Sequence, residues 1–172
     1  MKRITIIAVA AWLACSSIAV AGDYLDKNKK QREYAEPNED AAIIYVVRNS
    51  SVGLAIKFWA FADDDFLGVS RGKSYFFAEV PPGRHTFWSK AENVSALDLE
   101  VKAGRTYFLK QGVRIGLGKA RVKLVQIDEA EGRKLINKLP FASPTDEGRA
   151  RGAEIAAKRY ERVAEKQARR GK

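Results

Sequence analysis

The chain has 172 residues, of which 46% are apolar and 30% charged. This composition suits one ordinary globular domain with flanking segments and is too apolar for a fully disordered chain. Lys and Arg number 31 against 21 Asp and Glu, with one His and one Cys, so we expect no disulfide, no metal site and no cofactor. No apolar run after residue 21 approaches the roughly 20 residues of a membrane helix, which predicts no membrane-spanning segment in the mature chain.

Residues 1–21 are predicted to be a secretory signal peptide. Lys2 and Arg3 precede an apolar stretch, and Ala19 and Ala21 supply the small side chains that signal peptidase requires. We therefore expect cleavage after Ala21 and a periplasmic or secreted protein. Loss of Lys2 and Arg3 lowers the formal net charge from +10 to +8.

Cys15 supports an alternative, a membrane-anchored lipoprotein. The run Leu13-Ala14-Cys15-Ser16 is similar to a lipobox, in which Cys15 is acylated and becomes the new N-terminus. Trp12 stands where that box usually has leucine. Simple secretion is therefore the favoured prediction.

Residues 22–40 are predicted to be a polar linker, and an all-β domain follows at 41–139. Short runs rich in β-branched and aromatic residues alternate there with turn residues, which indicates an antiparallel β-sandwich of seven or eight strands, transthyretin-like or immunoglobulin-like. The predicted strands are 41–48, 54–62, 66–69, 73–80, 84–90, 94–101, 105–113 and 119–127.

Two turns of this domain are interpreted as hairpins. Pro81 and Pro82 fix the backbone before Gly83, where a positive φ is expected. The second turn is a three-residue loop, 102–104, with Gly104 left-handed. It predicts a hairpin that pairs Leu99 with Tyr107 and Leu97 with Leu109.

The chain is predicted to end in two helical segments. Residues 128–139 carry acids first and bases last, which favours a short helix that Pro140 stops and Gly132 weakens. Residues 140–172 form a basic, partly helical tail. Because its apolar stripe is thin, we expect the tail helix to form only against a partner or the sandwich.

The two runs 75–87 and 97–110, with Pro81-Pro82-Gly83 and Lys102-Ala103-Gly104 at their turns, resemble the DUF2846 family. Members are bacterial envelope proteins of unknown function, often lipoproteins, and are similar in pattern to PEGA and transthyretin-like sandwich modules. The resemblance covers about 41–139 and implies a sandwich fold. It implies no catalytic residues and does not explain the basic tail.

Catalytic and metal-binding patterns are weak. Gly68-Val69-Ser70-Arg71-Gly72 matches a nucleophile elbow, and His85 makes a Ser70/His85 serine hydrolase the remote alternative. A strand-like run follows Gly72 where that motif requires a helix, so we expect a turn there and no enzyme. Asp63-Asp64-Asp65 is interpreted as a solvated turn in preference to a calcium site.

Charge is the most informative feature. Residues 101–127 contain seven Lys and Arg and no acid, and strand alternation places Arg121 and Lys123 on one face with Lys110 and Arg114 as further candidates. Such a surface attracts anions. The predicted partner is an anionic envelope component (lipid phosphate, lipopolysaccharide or an acidic polymer) or an envelope protein, and the signal peptide disfavours nucleic acid.

The sequence thus predicts a non-catalytic cell-envelope protein with a binding or structural role. The alternative is a glycan-binding module that stacks sugars on Trp59 or Trp88. Burial of both tryptophans in the core is the favoured expectation.

Overall fold

The structure is a computed structural model that describes residues 24–27, 33–116 and 119–170. The predicted signal peptide lies outside the described residues, and with it Ala19, Ala21 and Cys15. Among the described residues, no helix combines the length and the apolar character needed to cross a bilayer.

Ten strands and two helices make up the described chain, and each of the eight predicted strands is present. The element bounds are β1 Leu25–Lys27, β2 Ala42–Arg48, β3 Lys57–Ala62, β4 Asp65–Arg71, β5 Ser74–Val80, β6 Gly83–Lys90, β7 Val94–Val101, β8 Thr106–Gly116, β9 Lys119–Ile127, α1 Glu129–Ile136, β10 Ala142–Pro144 and α2 Asp146–Ala168. The strand prediction is confirmed, and its basis is local, because runs of β-branched and aromatic residues between turn residues are features of each segment by itself.

The strands form two four-stranded sheets that pack face to face. The first sheet has the order β5-β2-β8-β9 and the second the order β4-β3-β6-β7. Every pair within them is antiparallel except β2 with β8, which is parallel. The predicted β-sandwich is confirmed, with this one parallel pair inside it.

Alternating side chains of both sheets fill the space between them. Ile44 and Val46 of β2 meet Ala60 of β3, Phe87 of β6 and Leu109 of β8 in one cluster of buried residues. A buried hydrogen-bonded chain crosses the same core from Ser70 through Gln111 and Ser89 to the Trp59 carbonyl. Since each member of the chain has a partner, burial of these polar groups carries little penalty.

The outer faces of both sheets are also covered. Ile136 of α1 and Leu139 pack on Ile43, Tyr45 and Phe108 of the first sheet. The second sheet is covered by α2 together with the two-stranded sheet of β1 and β10. The result is a sandwich with one helix on each side.

The predicted hairpin between β7 and β8 is wrong. β7 pairs with β6 in the second sheet, whereas β8 lies between β2 and β9 in the first. Leu97, Leu99, Tyr107 and Leu109 do point inward as expected, but they meet across the core and not as neighbours within a sheet. Alternation fixes which side of a strand is apolar and leaves its pairing partner open.

Gly104 is left-handed, with φ of 68°, and its N–H donates to the carbonyls of Asn38 and Ala41.

The turn at residues 81–83 also connects two sheets and is not a hairpin, because β5 belongs to the first sheet and β6 to the second. Gly83 has a φ of 140°, so the predicted positive φ is confirmed. A Cβ at Gly83 has room, since the nearest atom, His85 Nε2, is 3.8 Å away. Any penalty of a side chain there must come from the backbone.

We expect Gly83→Ala to lower the free energy of unfolding by about 1 kcal/mol or more, because residues with a Cβ rarely adopt this φ. Urea denaturation measures the change. An unchanged unfolding midpoint would show that the turn tolerates alanine without strain.

The predicted linker and tail both contact the sandwich. In the stretch 22–40, β1 pairs with β10, and the Ala35 N–H donates to the Tyr45 hydroxyl at 2.8 Å. The tail helix α2 packs against β4, β6, β7 and β10, and its apolar residues Ile155, Ala156 and Val163 lie in a buried cluster with residues of the second sheet. Helix α2 begins at Asp146, capped by the Thr145 hydroxyl.

Candidate basic surfaces

The four predicted anion-binding residues lie on one face of the hairpin of β8 and β9. Arg114 stands opposite Arg121, Lys123 follows two residues after Arg121, and Lys110 lies four residues before Arg114. Lys110 differs from the others because its Nζ lies 2.6 Å from Glu131 Oε1 of α1. Arg114, Arg121 and Lys123 are exposed and form what we call the basic strand face.

Two arginines directly opposite each other on neighbouring strands destabilise a sheet. Arg114 and Arg121 occupy such positions, and within the described residues neither has a carboxylate partner. A bound anion would remove this repulsion. The predicted cluster is therefore brought together in space, with Lys110 neutralised at its edge.

A second basic surface, which we call the basic groove, runs along α2 beside the loop between β6 and β7. Its cations come from α2 and from the two strands beneath the helix. They are Lys57, Lys90, Arg151, Lys158, Arg159, Arg162, Lys166 and Arg170. Glu154 is the one carboxylate among the described lining residues, and it is held between Arg151 and Lys158.

The pKa values in the groove follow from these contacts. Hydrogen bonds from Lys158 and Arg151 lower the pKa of Glu154, so its carboxylate stays ionised and occupied. Burial lowers the pKa of Lys90, and the nearby charges of Arg159 and Arg151 lower it further. The Lys90 ammonium thus lies among cations and donates to the Ala91 carbonyl at 3.1 Å.

The C-terminal half of the groove contains a cleft between α2 and β7, which we call the α2–β7 cleft. Its volume is about 190 Å³. Val94, Ala96 and Val163 form an apolar floor. The rim carries the cations Arg159, Arg162, Lys166 and Arg170.

The two basic surfaces lie on either side of one edge of the sandwich. The Asn93 side chain donates to the Val122 carbonyl and accepts from the Val122 N–H, while Ser95 accepts from the Leu124 N–H. These bonds join the β7 edge of the second sheet to the β9 edge of the first. An anionic surface facing this edge would meet cations from both sides.

Arg48 is a basic residue with a structural role. It is fully buried, donates to the carbonyls of Val52, Gly53 and Ile56, and lies 3.8 Å from the Phe58 ring centroid. Burial lowers its pKa to about 10, so it remains charged at neutral pH. It fixes the loop after β2 and takes no part in the basic surfaces.

The structure does not assemble the hydrolase alternative. Ser70 is fully buried in β4 and donates to Gln111 Oε1 at 2.6 Å. His85 lies near Asp63 through Nδ1 at 2.7 Å and near the Pro81 carbonyl through Nε2 at 2.8 Å. The residues after Gly72 form strand β5 and no helix, so the nucleophile-elbow reading is wrong. The Gly-flanked segment is mostly strand, with the turn at Gly72, where φ is 66°.

The glycan-binding alternative requires exposed tryptophan rings, and the structure does not provide them at Trp59 and Trp88. Trp59 is 6% exposed and Trp88 is fully buried, which confirms the expected burial. The turn between β3 and β4 is structural as well, because the Asp63 carboxylate accepts from the Thr86 N–H and contacts His85. Within the described residues, no cluster of His, Cys, Asp or Glu suited to a metal ion occurs.

Comparison with known families agrees with this architecture. The model of the family described as "Protein of unknown function (DUF2846)" matches residues 38–126, slightly more than half of the chain. The chain belongs to the DUF2846 family. It is also 30% identical over 142 residues to an uncharacterised protein of Haemophilus influenzae, an alignment that covers 81% of this chain and 83% of the relative. No solved structure matches the chain.

The DUF2846 match contains the basic strand face but ends before α1, β10 and α2. The basic groove therefore combines strands of the family domain with a helix outside the matched range. Sequence reasoning counted the charges of this tail but missed the groove. A usable signal was present, because Arg159, Arg162, Lys166 and Arg170 recur at helical spacing on one side of α2.

Proposed function

We propose that this DUF2846 protein is a non-catalytic binding protein of the cell envelope. It holds an anionic envelope component, such as lipid phosphate, lipopolysaccharide or an acidic polymer, through the basic groove and the basic strand face. The predicted signal peptide supports a periplasmic or secreted location, and for the same reason nucleic acid is not the proposed partner. Attachment through Cys15 remains the alternative route to the membrane.

The observation that carries the proposal is the lack of counter-charges around the four cations in the C-terminal half of the groove. Arg159, Arg162, Lys166 and Arg170 follow one another at three- and four-residue steps, where like charges destabilise a helix. Among the described residues none of them has a carboxylate partner. A chain selected only for solubility would gain more from mixed charges.

The position of Tyr24 is consistent with either processing route. Tyr24 lines the groove beside Lys57, whose Nζ lies 4.0 Å from the Tyr24 ring centroid. With a lipid on Cys15, the nine-residue step to Tyr24 would span at most about 30 Å. Such a tether would keep the groove close to the membrane surface.

Binding to anionic vesicles tests the proposal. We expect the mature chain to co-sediment with phosphatidylglycerol-containing vesicles at about 0.1 M salt and not with pure phosphatidylcholine. At about 1 M salt the Debye length falls from about 10 Å to about 3 Å, so binding should be lost. Because each surface cation contributes about 1 kcal/mol, Arg162→Glu/Lys166→Glu and Arg121→Glu/Lys123→Glu should each weaken binding at least tenfold.

A control variant separates these surfaces from net charge. Lys134→Glu/Lys138→Glu reverses two exposed charges at and just beyond α1, neither of which lines the groove, and should retain wild-type binding within twofold. Equal loss in the control would mean that only net charge matters. Absence of binding at low salt would refute the proposed function.

A further inference from the structure

The α2–β7 cleft has a composition that a general attraction to anions does not require. Its floor is apolar, formed by Val94 and Ala96 of β7 with Val163 of α2. Its rim is cationic, and no carboxylate of the described residues lines it. The asymmetry matches a ligand with one anionic end and one aliphatic end.

The opposite flank of α2 differs in charge. There Tyr160, Ala164 and Gln167 line a depression in which each charged group has a partner, since Asp98 lies 3.9 Å from Arg84 and Asp63 lies 2.7 Å from His85. Four cations of α2 that have no carboxylate partner among the described residues therefore line the side that faces the start of β7. Charge complementarity selects the α2–β7 cleft, and not the helix surface in general, for an anion.

Size limits the aliphatic part of the ligand. An apolar cavity of about 150 Å³ accommodates a molecule as large as benzene. The α2–β7 cleft has about 190 Å³, which suits a segment of roughly six to eight carbons. A complete pair of lipid chains would not fit, so the remainder of a lipid would extend out of the cleft.

We propose that the α2–β7 cleft is a specific site for an amphiphile with a phosphate group and an aliphatic chain, as in an anionic lipid. This inference rests on the proposed function. The phosphate lies at the rim among Arg162, Lys166 and Arg170, and the first part of the aliphatic chain covers Ala96 and Val163. The basic groove then attracts the anionic membrane surface, while the α2–β7 cleft binds a single lipid molecule from that membrane.

Isothermal titration calorimetry of the mature chain with octyl phosphate, kept below its micelle-forming concentration, tests this proposal. Inorganic phosphate represents the anionic end of the ligand alone, and octyl glucoside represents the aliphatic chain without the phosphate. We expect octyl phosphate to bind at least tenfold more tightly than either. Ala96→Leu, which fills the floor, should weaken octyl phosphate binding at least tenfold and leave inorganic phosphate unchanged.

The matched control is Ala164→Leu, which adds the same atoms on the opposite flank of α2 and should bind octyl phosphate like the wild type. If Ala96→Leu does not fold, Lys166→Met removes one rim charge while keeping the length of the side chain, and it should weaken octyl phosphate binding at least threefold.

The outcomes separate this inference from the proposed function. Vesicle binding together with equal affinity for octyl phosphate and inorganic phosphate would overturn the cleft site and leave the proposed function standing. Tight octyl phosphate binding without vesicle binding would support the ligand site in the α2–β7 cleft and refute the proposal that the wider basic surfaces bind a membrane. Equal weakening by Ala96→Leu and Ala164→Leu would overturn the assigned position.

Discussion

Replacing Trp88 by alanine is expected to lower the free energy of unfolding by about 3–5 kcal/mol. Trp88 is fully buried and stacks on Phe61 with ring centroids 3.9 Å apart. Its indole N–H donates to the Asp63 carbonyl at 2.7 Å. The substitution leaves a cavity under α2 and removes the partner of a carbonyl in the turn between β3 and β4.

Urea denaturation of Trp88→Ala and Trp88→Phe measures this effect. The phenylalanine variant retains part of the stack but loses the hydrogen bond, so it should unfold at an intermediate urea concentration. Val52→Ala, at a residue 43% exposed, is the control and should unfold like the wild type. An unfolding midpoint unchanged in Trp88→Ala would contradict a structural role for this side chain.

The second large effect is expected for Gly132→Ala in α1. Helix propensity alone predicts stabilisation by about 1 kcal/mol. In the fold, however, a Cβ at Gly132 would lie 2.2 Å from the Phe108 ring. Phe108 is 1% exposed and stacks on Tyr45 with centroids 5.1 Å apart, so it has little room to move. We expect a net loss of about 2–3 kcal/mol from overpacking.

Two further variants identify the cause of this loss. Ala130→Gly, at an exposed position of the same helix, should cost about 1 kcal/mol through propensity alone. Gly132→Ala/Phe108→Leu should be less destabilised than the sum of its single substitutions, because the smaller side chain makes room for the Cβ. A stabilised Gly132→Ala protein would show that α1 moves away from the sheet at little cost.

The sequence by itself determined the local features of this protein. Runs of β-branched and aromatic residues between turn residues located β2 to β9. Alternation placed Arg121 and Lys123 on one face of their strand, since successive side chains of a strand point to opposite sides. Charged residues at the ends of 128–139 and the following proline located α1. Family membership was recognisable from the spacing of the turns, which is also local.

Only the tertiary structure decided which elements meet. The parallel pairing of β2 with β8 and the separation of β7 from β8 into different sheets depend on contacts distant in sequence. The same holds for Gly132. Its sequence predicts only a weakened helix, whereas the structure shows that the Phe108 ring leaves no room for a larger residue there. The α2–β7 cleft exists because α2 docks across the second sheet and brings its cations beside the apolar start of β7. Alternation and charge are properties of one segment, whereas a pairing, a close approach or a cleft belongs to two segments at once, and its free energy depends on packing between them.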